Sequence, residues 1–279
     1  MGPRVLQQYL DGAREHVVWI EYDRYAHRVF ANSATDWLTQ SIRYANTIIQ
    51  ARKAIPTEVL TVDIVAAGLA ARHRALEPIA EASAVLADGN ACRYTAECLD
   101  ALLHKLGETV DIVLRVPVPA DLLAACGAQG RSDFEAMDEI STAMVAALRV
   151  YSDKPIAGLL LVRASTEPLS VDEADAYGPL LNAAHHYGWV TCMALDAALI
   201  GPGVALPEGV DVLLCADLSL ARVRECQVAG TRVGGGLAAA GWTIPGGLSA
   251  ALPGDLLFGI IPEAANPETV LANCATLAG

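Results

Sequence analysis

The feature that most constrains this chain is an alternation. Short β-branched apolar runs, each the length of one strand, are separated by longer Ala- and Leu-rich segments with helical spacing. βα units produce that rhythm, because each strand is followed by a helix that returns the chain to the start of the next parallel strand. The runs fall at Val17–Tyr22, Val59–Val65, Val110–Val118, Gly158–Val162, Trp189–Leu195, Val210–Ala216, Thr231–Gly235 and Leu256–Ile261. Leu159-Leu160-Leu161-Val162 has no polar alternation, as expected of a strand covered on both faces. Eight such units in 279 residues match a (β/α)8 TIM-type barrel, which usually needs about 250 residues. The expectation is a single barrel domain over 1–279.

Helical patterns lie between the strands. Asp36–Lys53 and Asp133–Tyr151 carry apolar residues at helical spacing, the second with Ser132 or Asp133 as N-cap. Ser170-Val-Asp-Glu173 has the spacing of a capping box and predicts a helix to about His186. Asn266 followed by Pro267 predicts the start of a last helix. Pro and Gly cluster at 201–209 and 241–254, which read as loops.

Composition narrows the partners. A net charge of −13 argues against nucleic acid, which requires clustered Lys and Arg, and against anionic lipid. Mean hydropathy is positive at +0.36, yet no apolar run approaches the roughly 18 residues of a spanning helix. The N-terminal segment lacks a signal-peptide core, and the 7 cysteines include no CxxC pair and fit reduced thiols. The expectation is a cytoplasmic protein with a small-molecule substrate, self-association or a protein partner being left open.

In a barrel the chemistry sits at the carboxyl ends of the strands, so those ends supply the candidates. They offer Tyr22 and Asp23, Asp63, Arg115, Arg163, Cys192 and Asp196, Cys215 and Asp217, a Gly234-Gly235-Gly236 turn, and Glu263. Arg115 and Arg163 each end an apolar strand. They can hold a carboxylate-bearing substrate by bidentate contacts, or form structural ion pairs with Asp63, Asp196 or Asp217. Asp63 interrupts an apolar run and reads as a general acid or base, or as the neutralising partner of an arginine. Asp217 and Cys192 are further catalytic candidates, and Glu263 a further substrate-binding one. Cys192 and Cys215, on neighbouring strands, read as metal-ligand thiolates or as small packed hydrophobes. His185-His186 end a helix, where they complement its dipole. The glycine triplet reads as a tight turn or a phosphate cradle. Trp242, in Gly241–Gly247, is either a substrate-facing lid residue or the anchor of its loop.

Three segments resemble the superfamily that joins cobalamin-independent methionine synthase, uroporphyrinogen decarboxylase and the corrinoid-linked methyltransferases. They are Val190-Thr-Cys192-Met; Gly209-Val-Asp-Val-Leu-Leu-Cys-Ala-Asp217; and Leu257-Phe-Gly-Ile-Ile-Pro262 with Asn266-Pro-Glu-Thr-Val270. The likeness spans residues 110–279. It implies a barrel and, for its zinc-dependent members, a metal held by a His-x-Cys pair and a distant Cys. Here Val190 stands where that histidine would be, and Cys274 falls in the final helix. Zinc is therefore a candidate cofactor with a degenerate motif. Three readings follow: a methyl- or alkyl-transferase on a thiol or carboxylate-bearing substrate; a metal-free decarboxylase or lyase using Arg115, Arg163 and Asp63; and a non-catalytic binding or partner subunit.

Overall fold

The computed structural model describes residues 4–31, 37–72, 76–130, 133–201, 207–228 and 232–278. Eight parallel strands form a (β/α)8 barrel: β1 Val17–Glu21, β2 Val59–Asp63, β3 Asp111–Pro117, β4 Gly158–Val162, β5 Val190–Ala194, β6 Val212–Leu214, β7 Val233–Leu237 and β8 Leu256–Ile260. The described helices are α1 Val5–Leu10, α2 Asp23–Phe30, α3 Ser41–Arg52, α4 Ala66–Ala71, α5 Pro78–Ala87, α6 Gly89–Leu106, α7 Pro119–Ala125, α8 Phe134–Arg149, α9 Val171–Ala176, α10 Gly178–His186, α11 Leu220–Val228 and α12 Pro267–Ala278. No helix among the described residues is long and apolar enough to cross a membrane.

The strand order runs β1-β8-β7-β6-β5-β4-β3-β2, with β1 and β2 meeting at a seam rather than along a regular ladder. Side chains stitch the seam. Val18 N–H donates to Oε2 of Glu58 at 2.9 Å, Ile20 N–H to Oγ1 of Thr57 at 2.9 Å, and the Trp19 indole to Oγ1 of Thr61 at 3.1 Å. Among the described residues, Glu58 N–H to the Val18 carbonyl, at 2.8 Å, is the one backbone bond across it.

Pleating divides each strand between two cores, because successive side chains point to opposite faces. Val17, Trp19, Val113, Leu160, Cys192 and Phe258 fill the lumen. Val18, Ile20, Leu114, Leu161, Leu213 and Cys215 pack outward against the helices. The floor of the lumen is closed by α1, whose Val5 and Leu6 join the inner core. Leu6 N–H donates to buried Asp111 at 2.8 Å.

Several local expectations change. Gly234, Gly235 and Gly236 lie inside β7, not in a turn or phosphate cradle. A Cβ on Gly235 would lie 2.8 Å from the Cys215 carbonyl oxygen, and one on Gly234 2.8 Å from a Leu214 methyl; the glycines let β6, β7 and β8 approach. The helix capped by Ser170 stops at Ala176 and restarts at Gly178, where Pro179 lacks the N–H needed to continue it. Asp133 caps α8 through Ala136 N–H at 2.9 Å, while Ser132, Asp36, Thr231 and most of the 201–209 loop lie outside the described residues.

Candidate functional site

A cavity of about 520 Å³ opens at the carboxyl ends of β1, β2 and β8 and extends through the seam toward α3 and α6. Register decides its chemistry. Glu21, Asp63 and Arg115 share the pleat parity of lumen-facing Trp19, Thr61 and Val113, so they stand inward at the tops of β1, β2 and β3. Asp63 and Arg115 are cross-strand partners. The Arg115 guanidinium donates to Oε2 of Glu21 at 3.2 Å and approaches Oδ2 of Asp63 at 4.0 Å. The other Asp63 oxygen accepts from Val65 and Ala66 N–H at 3.0 and 2.9 Å, which fixes the carboxylate at the start of α4.

Asp23, the first residue of α2, adds a third carboxylate, and its Oδ2 accepts from the Tyr44 hydroxyl at 3.2 Å. Burial, reinforced by the Glu21 charge and only partly relieved by Arg115 and Tyr44, pushes Asp23 up to about 7. Burial also raises Asp63, against Arg115 and the two amides. Burial opposes the charge on Arg115, but Glu21, Asp63 and Asp23 outweigh it and hold the guanidinium above its ordinary range. Glu21 is 9% exposed, and its Oε1 is buried with no hydrogen-bond partner among the described residues. Trp37, Tyr44 and Tyr94 complete the wall, with Arg24 and Glu263 at the exposed rim.

A smaller cavity of about 210 Å³ shares Glu21 and Arg115 and continues across the mouth to Arg163, Asp196, Cys215 and Asp217. Among the sequence-derived candidates, Asp63, Arg115 and Glu263 therefore meet in the larger cavity, and Arg163, Cys215 and Asp217 border the smaller one. Cys192 and Trp242 line neither.

Of the two readings of Arg163, substrate ligand or structural ion pair, its register favours the second, with Glu173 as partner in place of Asp63, Asp196 or Asp217. It lies one residue beyond lumen-facing Val162, so it turns outward and is 5% exposed. It forms a two-point pair with Glu173 at 2.7 and 3.1 Å and donates to the carbonyls of Ser165 and Glu167 at 2.9 and 2.7 Å. The same parity separates the two proposed zinc thiolates. Cys192 faces the lumen and Cys215 the helix layer, so one ion cannot reach both. Burial, then the Asp211 charge, raises the Cys192 thiol far above its ordinary range. Among the described residues no three His, Cys, Asp or Glu side chains converge as metal ligands, so this donor set does not fit zinc. Trp242 is fully buried, its indole donating to the Leu237 carbonyl at 3.2 Å; it anchors its loop.

Sequence reasoning missed Glu21, Trp37, Tyr44 and Tyr94 as cavity residues, and gave Asp23 no role although it stands at a strand end. The signal for Glu21 was a carboxylate closing the apolar run Val17-Val18-Trp19-Ile20.

No protein-family model and no curated protein sequence matches the chain. Among solved structures it is similar to a methyltransferase from Methanosarcina mazei, at 14% identity and a TM-score of 0.66, over 98% of this chain and 96% of that one. The homocysteine methyltransferase MmuM from Escherichia coli aligns at 13% identity over 97% and 99% of the two chains, with a TM-score of 0.41. The YdhT protein from Bacillus subtilis aligns at 10% identity over 98% and 90%, with a TM-score of 0.46. The first likeness is one of fold; the other two are too distant in shape to bear on the site.

Proposed function

We propose that this chain is an enzyme that transfers a methyl or alkyl group on a small molecule held in the larger mouth cavity, with Asp23 handling the proton. The observation that carries the reading is the placement of Asp23, poised near neutrality and oriented by Tyr44, beside an ion-paired Arg115 at the strand ends. A carboxyl group that titrates near the working pH is suited to general acid–base chemistry. In this scheme the nucleophile's heteroatom bonds to the alkyl carbon as the bond to the donor's leaving group breaks; that group departs with the bonding electrons, and the Asp23 carboxylate accepts the proton the heteroatom releases. Asp63 and Glu21 hold Arg115, which keeps a fixed positive charge against Asp23. The fold shared with a methyltransferase supports the reaction class by analogy alone. The scheme differs from zinc–thiolate activation because Cys192 and Cys215 face opposite sides of the sheet. A polycarboxylate decarboxylase is less well supported, since Arg163 is committed to Glu173 and Arg115 is shared by two acids.

The test uses the purified chain with methyl-labelled methylcobalamin or S-adenosylmethionine and a panel of small thiols, amines and carboxylic acids, following the label by NMR. Label transfer that rises with pH through about 7 and falls about 10²–10⁴-fold in Asp23→Asn is the expected result. Transfer indifferent to that substitution removes Asp23 from the chemistry. No transfer from either donor, with ligand binding intact, favours the non-catalytic binding protein.

A further inference from the structure

The acid–base reading leaves the substrate undefined, and the cavity says more about it. Its ionisable lining is Glu21, Asp23, Asp63 and Glu263 against Arg24 and Arg115, and Arg115 is already engaged by Glu21 and Asp63. Such a lining repels a second anion. Glu21 makes the demand specific. One oxygen receives the Arg115 N–H, while Oε1 is buried without any donor among the described residues. A buried polar atom left in that state is costly, more so when it is charged, so a ligand that brings an N–H donor relieves it. A neutral apolar ligand does not.

Part of the same cavity's wall is aromatic. Trp37 and Tyr44 meet edge to face with centroids 4.9 Å apart, and Tyr44 and Tyr94 at 6.4 Å. Their hydroxyls are spent within the protein, Tyr44 on Asp23 and Tyr94 on the Trp37 carbonyl at 2.9 Å. What these rings offer a ligand is polarizable π surface, which attracts cations and the methylene groups next to them. A buried acceptor that lacks a donor, together with an aromatic wall, describes an organic cation that carries N–H.

Building on the reading above, we propose that the cavity binds a small primary or secondary alkylamine as its ammonium ion. The N–H donates to Oε1 of Glu21, and the alkyl chain lies against Trp37, Tyr44 and Tyr94.

Calorimetric titration and ligand-observed NMR on the intact chain test this with four probes of similar size: n-butylammonium, its N-trimethylated analogue, 1-butanol and pentanoate. Saturable binding of n-butylammonium, at least tenfold tighter than any of the other three, is expected, with a further loss of tenfold or more in Glu21→Gln and several-fold in Trp37→Leu. Preference for pentanoate, or equal binding of 1-butanol, overturns the cation site. Equal binding of the trimethylated analogue overturns the donation to Glu21, as does an unchanged affinity in a folded Glu21→Gln. Should that variant fail to fold, the wild-type probe series decides alone. The probes are read without turnover, so failure here leaves the role of Asp23 standing or falling on its own labelled-methyl assay.

Discussion

At the scale of single residues, Arg115 and Arg163 show how one step of register separates a site from a scaffold. Both close apolar strands, yet Arg115 keeps the parity of the lumen and Arg163 breaks it. The sequence could not distinguish them, because strands covered on both faces are apolar throughout and nothing in Leu159-Leu160-Leu161-Val162 marks which side is inward. The partner was equally hidden. Glu173 reaches Arg163 from α9, and Ser170 caps that helix through Glu173 N–H at 3.2 Å, whereas the capping-box pattern accounted for Glu173 locally. With both groups buried and Tyr177 donating to the same carboxylate, removing one charge strands the other. Arg163→Met should lower stability by about 3–5 kcal/mol in urea denaturation. Replacing Arg163 and Glu173 together by Met should recover much of that loss. Neither change should alter ligand affinity in the larger cavity, which Arg163 does not line. If Arg163→Met left stability intact and abolished turnover instead, the residue would return to the substrate.

Among the elements, strand positions were the most legible part of the fold, since long apolar runs bounded by turn residues leave few alternatives. β4 begins and ends where its run does, and most of the others are trimmed by one or two residues at their ends. The seventh strand was displaced because glycine reads as a breaker from sequence, whereas β7 needs Gly234–Gly236 for contact with its neighbours. That contact also involves β8. A Cβ on Gly259 would run into the carbonyl oxygen and Cβ of Leu237, with the carbonyl carbon at 2.9 Å. Backbone cannot rotate away as a side-chain tip can, so Gly259→Ala should destabilise by about 1–3 kcal/mol or more. Gly178, at the start of α10, supplies the control, because no described residue lies within 4 Å of a Cβ there. Gly178→Ala should be neutral or stabilise by up to about 1 kcal/mol. Equal effects of the two substitutions in thermal melts would mean that β7 and β8 are not in close contact. The site was less legible than the strands, because the seam that opens the cavity depends on Thr57, Glu58 and Thr61 replacing a backbone ladder, and no periodicity encodes that.

Across the whole molecule, the two ends of the barrel do different work. At the floor, α1 seals the lumen with Val5 and Leu6 and satisfies Asp111, the first residue of β3; at the mouth, the same strand presents Arg115. Four steps along the strand separate the two groups, a span of about 13 Å filled by close-packed side chains. Substitutions that far apart with no shared partners act nearly independently. Leu6 is 1% exposed, so Leu6→Ala should cost about 2–5 kcal/mol, visible as a lower denaturation midpoint. The affinity measured at the mouth should stay constant in the folded protein, and so should the pH dependence set by Asp23. Such a split is what a barrel predicts when stability resides at the amino-terminal end of the strands and chemistry at the carboxyl-terminal end. The alternative outcome is informative as well. If Leu6→Ala weakened binding in step with stability, the seam would be the natural route, since β1 and β2 share one backbone bond across it and a loosened floor could let their upper ends part. Restoring binding by strengthening the seam, without touching Leu6, would then locate the coupling between β1 and β2.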